Sequence, residues 1–240
     1  MSYKILDLKF EQNGVRLTIN PVVIYDENEM VLVDCGHPDA LPKLETLLKK
    51  EGLDMANLTK VIITHHDHDH MGALASIVRK YPNVKVMASH IDSPHIEGKS
   101  KSLRLVQAEA IYDALPEEQK EGAKQFQNYL ESIEPTKVDI RLKDGDRFDC
   151  CGGYEIISTP GHMPGHISVY LMDSKTLIAG DALVVQKGEL EIANPQYSLD
   201  IKGTKTTAKK LAYMAIDRVI CYHGGLYEGD VKKALTKMSR

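Results

Sequence analysis

Residues 64–72 read Thr-His-His-Asp-His-Asp-His-Met-Gly, so four histidines and two aspartates fill the six positions from 65 to 70. The apolar run Val61-Ile62-Ile63 precedes them and reads as a buried strand. Six such groups where a strand ends place them at the rim of a sheet, where sites are usually built. Imidazole and carboxylate are the ligands that divalent first-row metals take up. A purification tag would sit at a terminus and would not interleave aspartates. A solvated polar loop accommodates one histidine comfortably, but not four. The segment reads as part of a metal site.

The rest of the chain alternates strands and helices. Residues 15–25 and 30–34 read as strands, with the turn-like Asp26-Glu27-Asn28-Glu29 between them. Helical spacing through Leu41, Leu44, Leu47 and Leu48 predicts a helix over 38–50 that Gly52 ends. A strand at 60–64, a helix at 70–80 and a strand at 84–88 follow. The second half opens with strands near 137–141, 146–149 and 153–158. It continues with strands at 167–172 and 175–180, a helix over about 203–216, a strand at 218–222 and a helix near 229–238. The pattern is α/β, in two similar halves without a low-complexity linker. Length suits a single domain, 1–240, with an insertion over about 96–134. That insertion is polar and helical in pattern, and reads either as a solvated hairpin or as a lid over the metal edge.

A formal charge of -4 advertises neither a nucleic-acid nor an acidic-membrane partner, which leaves a small-molecule substrate. The first ten residues alternate like a strand and lack an apolar signal core, and no stretch is long enough to span a bilayer. A soluble, cytoplasmic protein is expected. Cys35, Cys150, Cys151 and Cys221 form no Cys-x-x-Cys pair, so disulfides are not expected in a reducing compartment.

Further donors follow other strand ends. Thr159-Pro160-Gly161-His162-Met163-Pro164-Gly165-His166 is a stiff loop with two histidines. Leu177-Ile178-Ala179-Gly180-Asp181 ends a strand in a carboxylate, and Val219-Ile220-Cys221-Tyr222-His223 ends another in a histidine. Each alone is weak. Together, in this order, they resemble the metallo-beta-lactamase superfamily, and the resemblance covers nearly the whole chain. The family pattern His-x-His-x-Asp-His matches as His65-x-Asp67-x-Asp69-His70, with Gly72 at the expected spacing. The distant histidine matches His162, the bridging carboxylate Asp181 and the last ligand His223. Asp34, in Leu-Val-Asp-Cys-Gly, matches a carboxylate that supports the site without binding metal.

The resemblance implies a four-layer αββα sandwich with the site along one edge. It also implies two divalent ions. One would take His65, Asp67 and His162, and the other Asp69, His70 and His223, with Asp181 bridging. Asp67 departs from the pattern, which has histidine there. A register through His66, His68 and His70 is chemically possible but abandons Asp69. With Asp67 as a ligand, two divalent ions, three carboxylates and a hydroxide sum to zero charge, one less than with five histidines. Zinc is the expected metal, and the harder charge balance admits manganese or iron.

Such a site lowers the pKa of a metal-bound water from 15.7 toward roughly 7. Asp69 is the expected orienter of that nucleophile. Hydrolysis of an ester, thioester, lactone or phosphodiester follows, and no Gly-x-Ser-x-Gly elbow suggests another route. A glyoxalase II-like or lactonase-like branch fits best, although long glyoxalase II-type enzymes extend further than the residues 224–240 that follow His223 here. The competing classes are a diiron redox protein, for which the chain has no room for a flavin domain, and a metal-binding module without catalysis. Tyr197 reads as a packed loop residue or an oxyanion donor, and His37 as a helix start or a substrate-facing group. His90 and His95 read as surface residues, and His166 as a group ordering its own loop.

Overall fold

The computed structural model describes residues 2–12 and 14–238. The first half runs β1 (Ser2–Ile5), β2 (Leu8–Gln12), β3 (Val15–Ile19), β4 (Val22–Tyr25), β5 (Met30–Val33), α1 (Leu41–Lys50) and β6 (Lys60–Ile63). It continues with α2 (His68–Met71), α3 (Leu74–Lys80), β7 (Lys85–Ser89), α4 (Ser93–Ile96), α5 (Leu103–Ala110), α6 (Glu117–Glu131) and β8 (Ile140–Leu142). The second half runs β9 (Arg147–Phe148), β10 (Tyr154–Ser158), β11 (Ile167–Leu171), β12 (Thr176–Gly180), β13 (Leu183–Gln186) and β14 (Glu189–Ile192). It closes with α7 (Ile201–Ala212), β15 (Arg218–Cys221), β16 (Gly225–Tyr227) and α8 (Val231–Met238).

Because successive strand side chains point to opposite faces, strands apolar at every position can be buried on both sides. In β5, Met30 and Leu32 join the core beneath α1 and α3, while Val31 and Val33 face the other sheet. In β12 and β15, Ile178 and Ile220 meet that inter-sheet core, while Leu177, Ala179, Val219 and Cys221 pack under α7 and α8. Three cores between four layers result: an αββα sandwich. The first sheet has the order β1-β4-β5-β6-β7-β8 and the second β16-β15-β12-β11-β10-β9.

Strands β5 to β8 are parallel, as are β12 and β15. Parallel pairing aligns carboxyl ends, so the segments after β5 and β6, and those after β12 and β15, emerge together. The two sheets are joined at that rim. Ile167 N–H donates to the Thr64 carbonyl at 3.0 Å, and Asn20 N–H donates to that of Tyr222 at 2.8 Å.

Some elements differ from the sequence expectations. The run 15–25 is two strands, parted by Asn20-Pro21, because proline cannot donate to a ladder. The helix expected over 70–80 breaks after Met71, and the His70 carbonyl accepts from Cys35 N–H at 2.8 Å. The strand expected near 137–141 to open the second half is β8, which pairs with β7. The helical insertion is therefore the crossover between two parallel strands of the first sheet. The hairpin β13–β14 was not anticipated. All four cysteines are free, and no helix among the described residues is long and apolar enough to cross a membrane.

Candidate metal centre

Asp34 follows β5 with φ of 61°, a left-handed conformation uncommon for a residue with a Cβ. Its side chain accepts from Thr64 N–H and Thr64 Oγ1–H, each at 2.8 Å, and from His70 Nδ1 at 2.9 Å. That last bond fixes the tautomer, leaving His70 Nε2 to face the rim. Thr64 has spent its proton on Asp34, so it accepts from His65 Nδ1 at 3.1 Å and turns His65 Nε2 the same way. Asp34 thus touches one candidate ligand directly and a second through Thr64.

The loop between β10 and β11 brings His162 to the rim, and the end of β12 brings Asp181. His166 does more than order its own loop. Its Nδ1 shares a hydrogen bond with Thr159 Oγ1 at 2.8 Å, and its Nε2 accepts from the Asp181 backbone N–H at 2.9 Å. Gly180 makes that possible, since a Cβ there would stand 2.8 Å from His166 Nε2.

The seven residues singled out in the sequence converge. Three groups have ligand atoms within 4.8 Å of one another: His65, Asp67 and His162; His65, His70 and Asp181; and Asp69, His70 and His223. Asp181 lies between the half-sites, 3.4 Å from His70 Nε2, 3.6 Å from His162 Nε2 and 3.5 Å from His223 Nε2. Asp69 lies 3.3 Å from His223 Nε2. His65 Nε2, His70 Nε2 and Asp181 Oδ1 are buried and have no hydrogen-bond partner. Unpaired buried groups of this kind cost about 1–3 kcal/mol each, which a cation between them would offset. The donor chemistry and the orphaned atoms both fit a divalent ion.

His66 and His68 point elsewhere. His66 accepts from Leu103 N–H through Nε2 and is held by Asp92 through Nδ1, and its ring stacks on His95. His68 packs edge-on against Phe126 and Tyr129 of α6. His95 therefore has a partner that the sequence did not reveal. His90 keeps its surface position, its Nδ1 3.3 Å from the Leu142 carbonyl oxygen. His37 precedes α1 and lies against Phe10 and His68, with its Nδ1 3.3 Å from Tyr129 Oη.

Sequence reasoning missed Arg104. It enters from α5 and forms a two-pronged ion pair with Asp67, with Nε and Nη2 donating at 3.2 and 2.6 Å. Tyr197, half exposed, lies with its ring centroid 5.9 Å from the guanidinium. Burial would raise the Asp67 carboxyl, but His162, His65 and Arg104 hold it well below the usual range. Burial would lower His223, but Asp181 and Asp69 beside it win and push its pKa up to about 10. His166, buried beside His65 and His162, is held well below the usual imidazole value and stays neutral.

Residues 14–223 match the family model of the metallo-beta-lactamase superfamily. The chain belongs to that superfamily. Among solved structures, a metallo-beta-lactamase family protein of Thermus thermophilus superposes with a TM-score of 0.76 at 22% identity, covering 99% of this chain and 78% of that one. Among curated relatives, the probable metallo-hydrolase YflN of Bacillus subtilis is 25% identical over 213 residues, covering 83% of this chain and 76% of that protein. A hydroxyacylglutathione hydrolase of Photobacterium profundum is 29% identical over 157 residues, 65% of this chain. The chain spans 43% of that enzyme's length.

Proposed function

We propose that this superfamily member is a cytoplasmic metal-dependent hydrolase acting on a small molecule with an ester, thioester, lactone or phosphodiester bond. The observation that carries the reading is the trio of buried, unpartnered donors on His65, His70 and Asp181. Asp67, His162, Asp69 and His223 surround it and complete the proposed ligand set. Zinc is the proposed metal, with manganese or iron as alternatives, and the donors provide for up to two ions. A divalent ion there would polarise a carbonyl or phosphoryl oxygen and lower the pKa of a water bound to it.

The chain's own groups supply orientation. Asp34 and Thr64 fix the tautomers of His70 and His65, and His166 pins the backbone of Asp181. Asp69, 16% exposed at the mouth, is placed to accept a proton from an attacking water and to orient it. His223, its side chain 39% exposed, marks the open side from which substrate would enter. Relatives named as metallo-hydrolase and hydroxyacylglutathione hydrolase support hydrolysis.

Protein purified without chelator should carry the metal and hydrolyse at least one member of an ester, thioester, lactone and phosphodiester panel under anaerobic conditions. Stripping the metal should abolish turnover, and adding it back should restore it. Turnover unaffected by chelation, or oxygen consumption by reduced protein that hydrolyses nothing, would contradict the reading.

A further inference from the structure

Arg104 is the second residue of α5, and its side chain is 7% exposed. Besides its fork on Asp67, its Nη2 lies 3.2 Å from His162 Nε2. One cation therefore already engages two of the three donors in the His65, Asp67 and His162 group. The other half of the site differs: His70 Nε2 and Asp181 Oδ1 lie 3.4 Å apart and neither has a hydrogen-bond partner. His162 Nε2 also lies 3.1 Å from Asp67 Oδ2, so the Arg104–Asp67 pair engages this nitrogen whichever tautomer the ring adopts, and a nitrogen so engaged is not free to bind a metal ion.

Resting on the metal-dependent reading above, we propose that Arg104 is the resident cation of the first half-site, so that the chain binds one divalent ion, at Asp69, His70, Asp181 and His223, in place of two. Before any hydroxide binds, one divalent ion and one guanidinium balance the three carboxylates of Asp67, Asp69 and Asp181, whereas a second ion would sit against the guanidinium in a poorly solvated site. The same pairing explains why position 67 is an aspartate. A planar carboxylate accepts both prongs of a guanidinium, and an imidazole cannot.

Arg104 is also held in place. Its Nη1 donates to Gln107 Oε1 at 2.6 Å. The start of its helix is clamped, because Leu103 N–H donates to His66 Nε2 at 3.1 Å and Asp92 Oδ2 accepts from His66 N–H at 2.7 Å. The two histidines that face away from the metal edge thus include one that positions the residue replacing a metal.

Native mass spectrometry of chelator-stripped protein titrated with zinc, and separately with manganese, tests this. The wild-type chain should saturate at one equivalent, and Arg104→Met should take up two. Arg104→Met leaves Asp67 buried without its partner, so the double variant Asp67→His with Arg104→Met, which removes both charges and supplies a neutral donor, should also bind two. Circular dichroism establishes that each variant is folded. Two equivalents on the wild-type chain, or one equivalent on every folded variant, would overturn the proposal alone. A wild-type chain that binds no metal would overturn both the proposal and the hydrolase reading.

Discussion

At the scale of the residue, the rim is a balance of buried charges, and Asp67 shows how tight it is. Its side chain and that of Arg104 are 6% and 7% exposed, so neither charge can be solvated if the other is removed. Breaking such a pair from one side costs about 3–5 kcal/mol. In metal-free protein, Asp67→Ala should lose stability of that order in urea unfolding, while Asp67→Ala with Arg104→Met should lose clearly less. Equal losses would show that the pair is not coupled. His223 supplies a second test. Its pKa is raised to about 10 from 6.5, so its pairing with Asp69 and Asp181 is fully stabilising below pH 6.5 and fades as pH rises through about 10. At pH 8 the ring still carries a proton that a metal must expel. Calorimetric metal binding at pH 8 should therefore show an enthalpy that varies with buffer ionisation enthalpy, corresponding to at least one released proton. A buffer-independent enthalpy would contradict that state.

The element scale separates what was legible in the sequence from what was not. The seven rim residues could be singled out because each follows an apolar strand or sits in a Gly/Pro loop, and such strands are readable from their composition. Arg104 could not. It lies in Lys99-Ser-Lys-Ser-Leu-Arg104, where a charge looks solvated, and only the tertiary docking of α5 shows otherwise. The hairpin β13–β14 was missed because its two-residue turn is Lys187-Gly188, with φ of 52° and 80°. Both positions suit a type I′ turn, but lysine replaces the asparagine or aspartate that usually announces one. The apolar periodicity over 70–80 was real, yet the hydrogen bond from Cys35 to the His70 carbonyl diverts the helix. Docking of α5 is itself testable. His66→Ala removes the acceptor for Leu103 N–H and the partner of Asp92, so amide exchange across 103–110 should quicken while β5 and β6 stay protected. Unchanged exchange in α5 would show that the clamp is not what holds it.

Across the whole molecule, the two sheets meet at a rim where each contributes donors: Asp69 and His70 from the first, Asp181 and His223 from the second. An ion held by both would bind the folded chain and not the unfolded one. At a free concentration a hundredfold above its Kd it would add about 2.7 kcal/mol of stability. The rim geometry, the charge balance and the place of Arg104 all converge on the position of that ion. An anomalous difference map from crystals of zinc-loaded protein, collected at the zinc absorption edge, locates it directly. The account predicts a single strong peak ligated by His70 Nε2, His223 Nε2, Asp69 and Asp181, with Arg104 still paired to Asp67. No peak at the rim would contradict the hydrolase reading, and a second peak between His65, Asp67 and His162 would contradict the place given to Arg104.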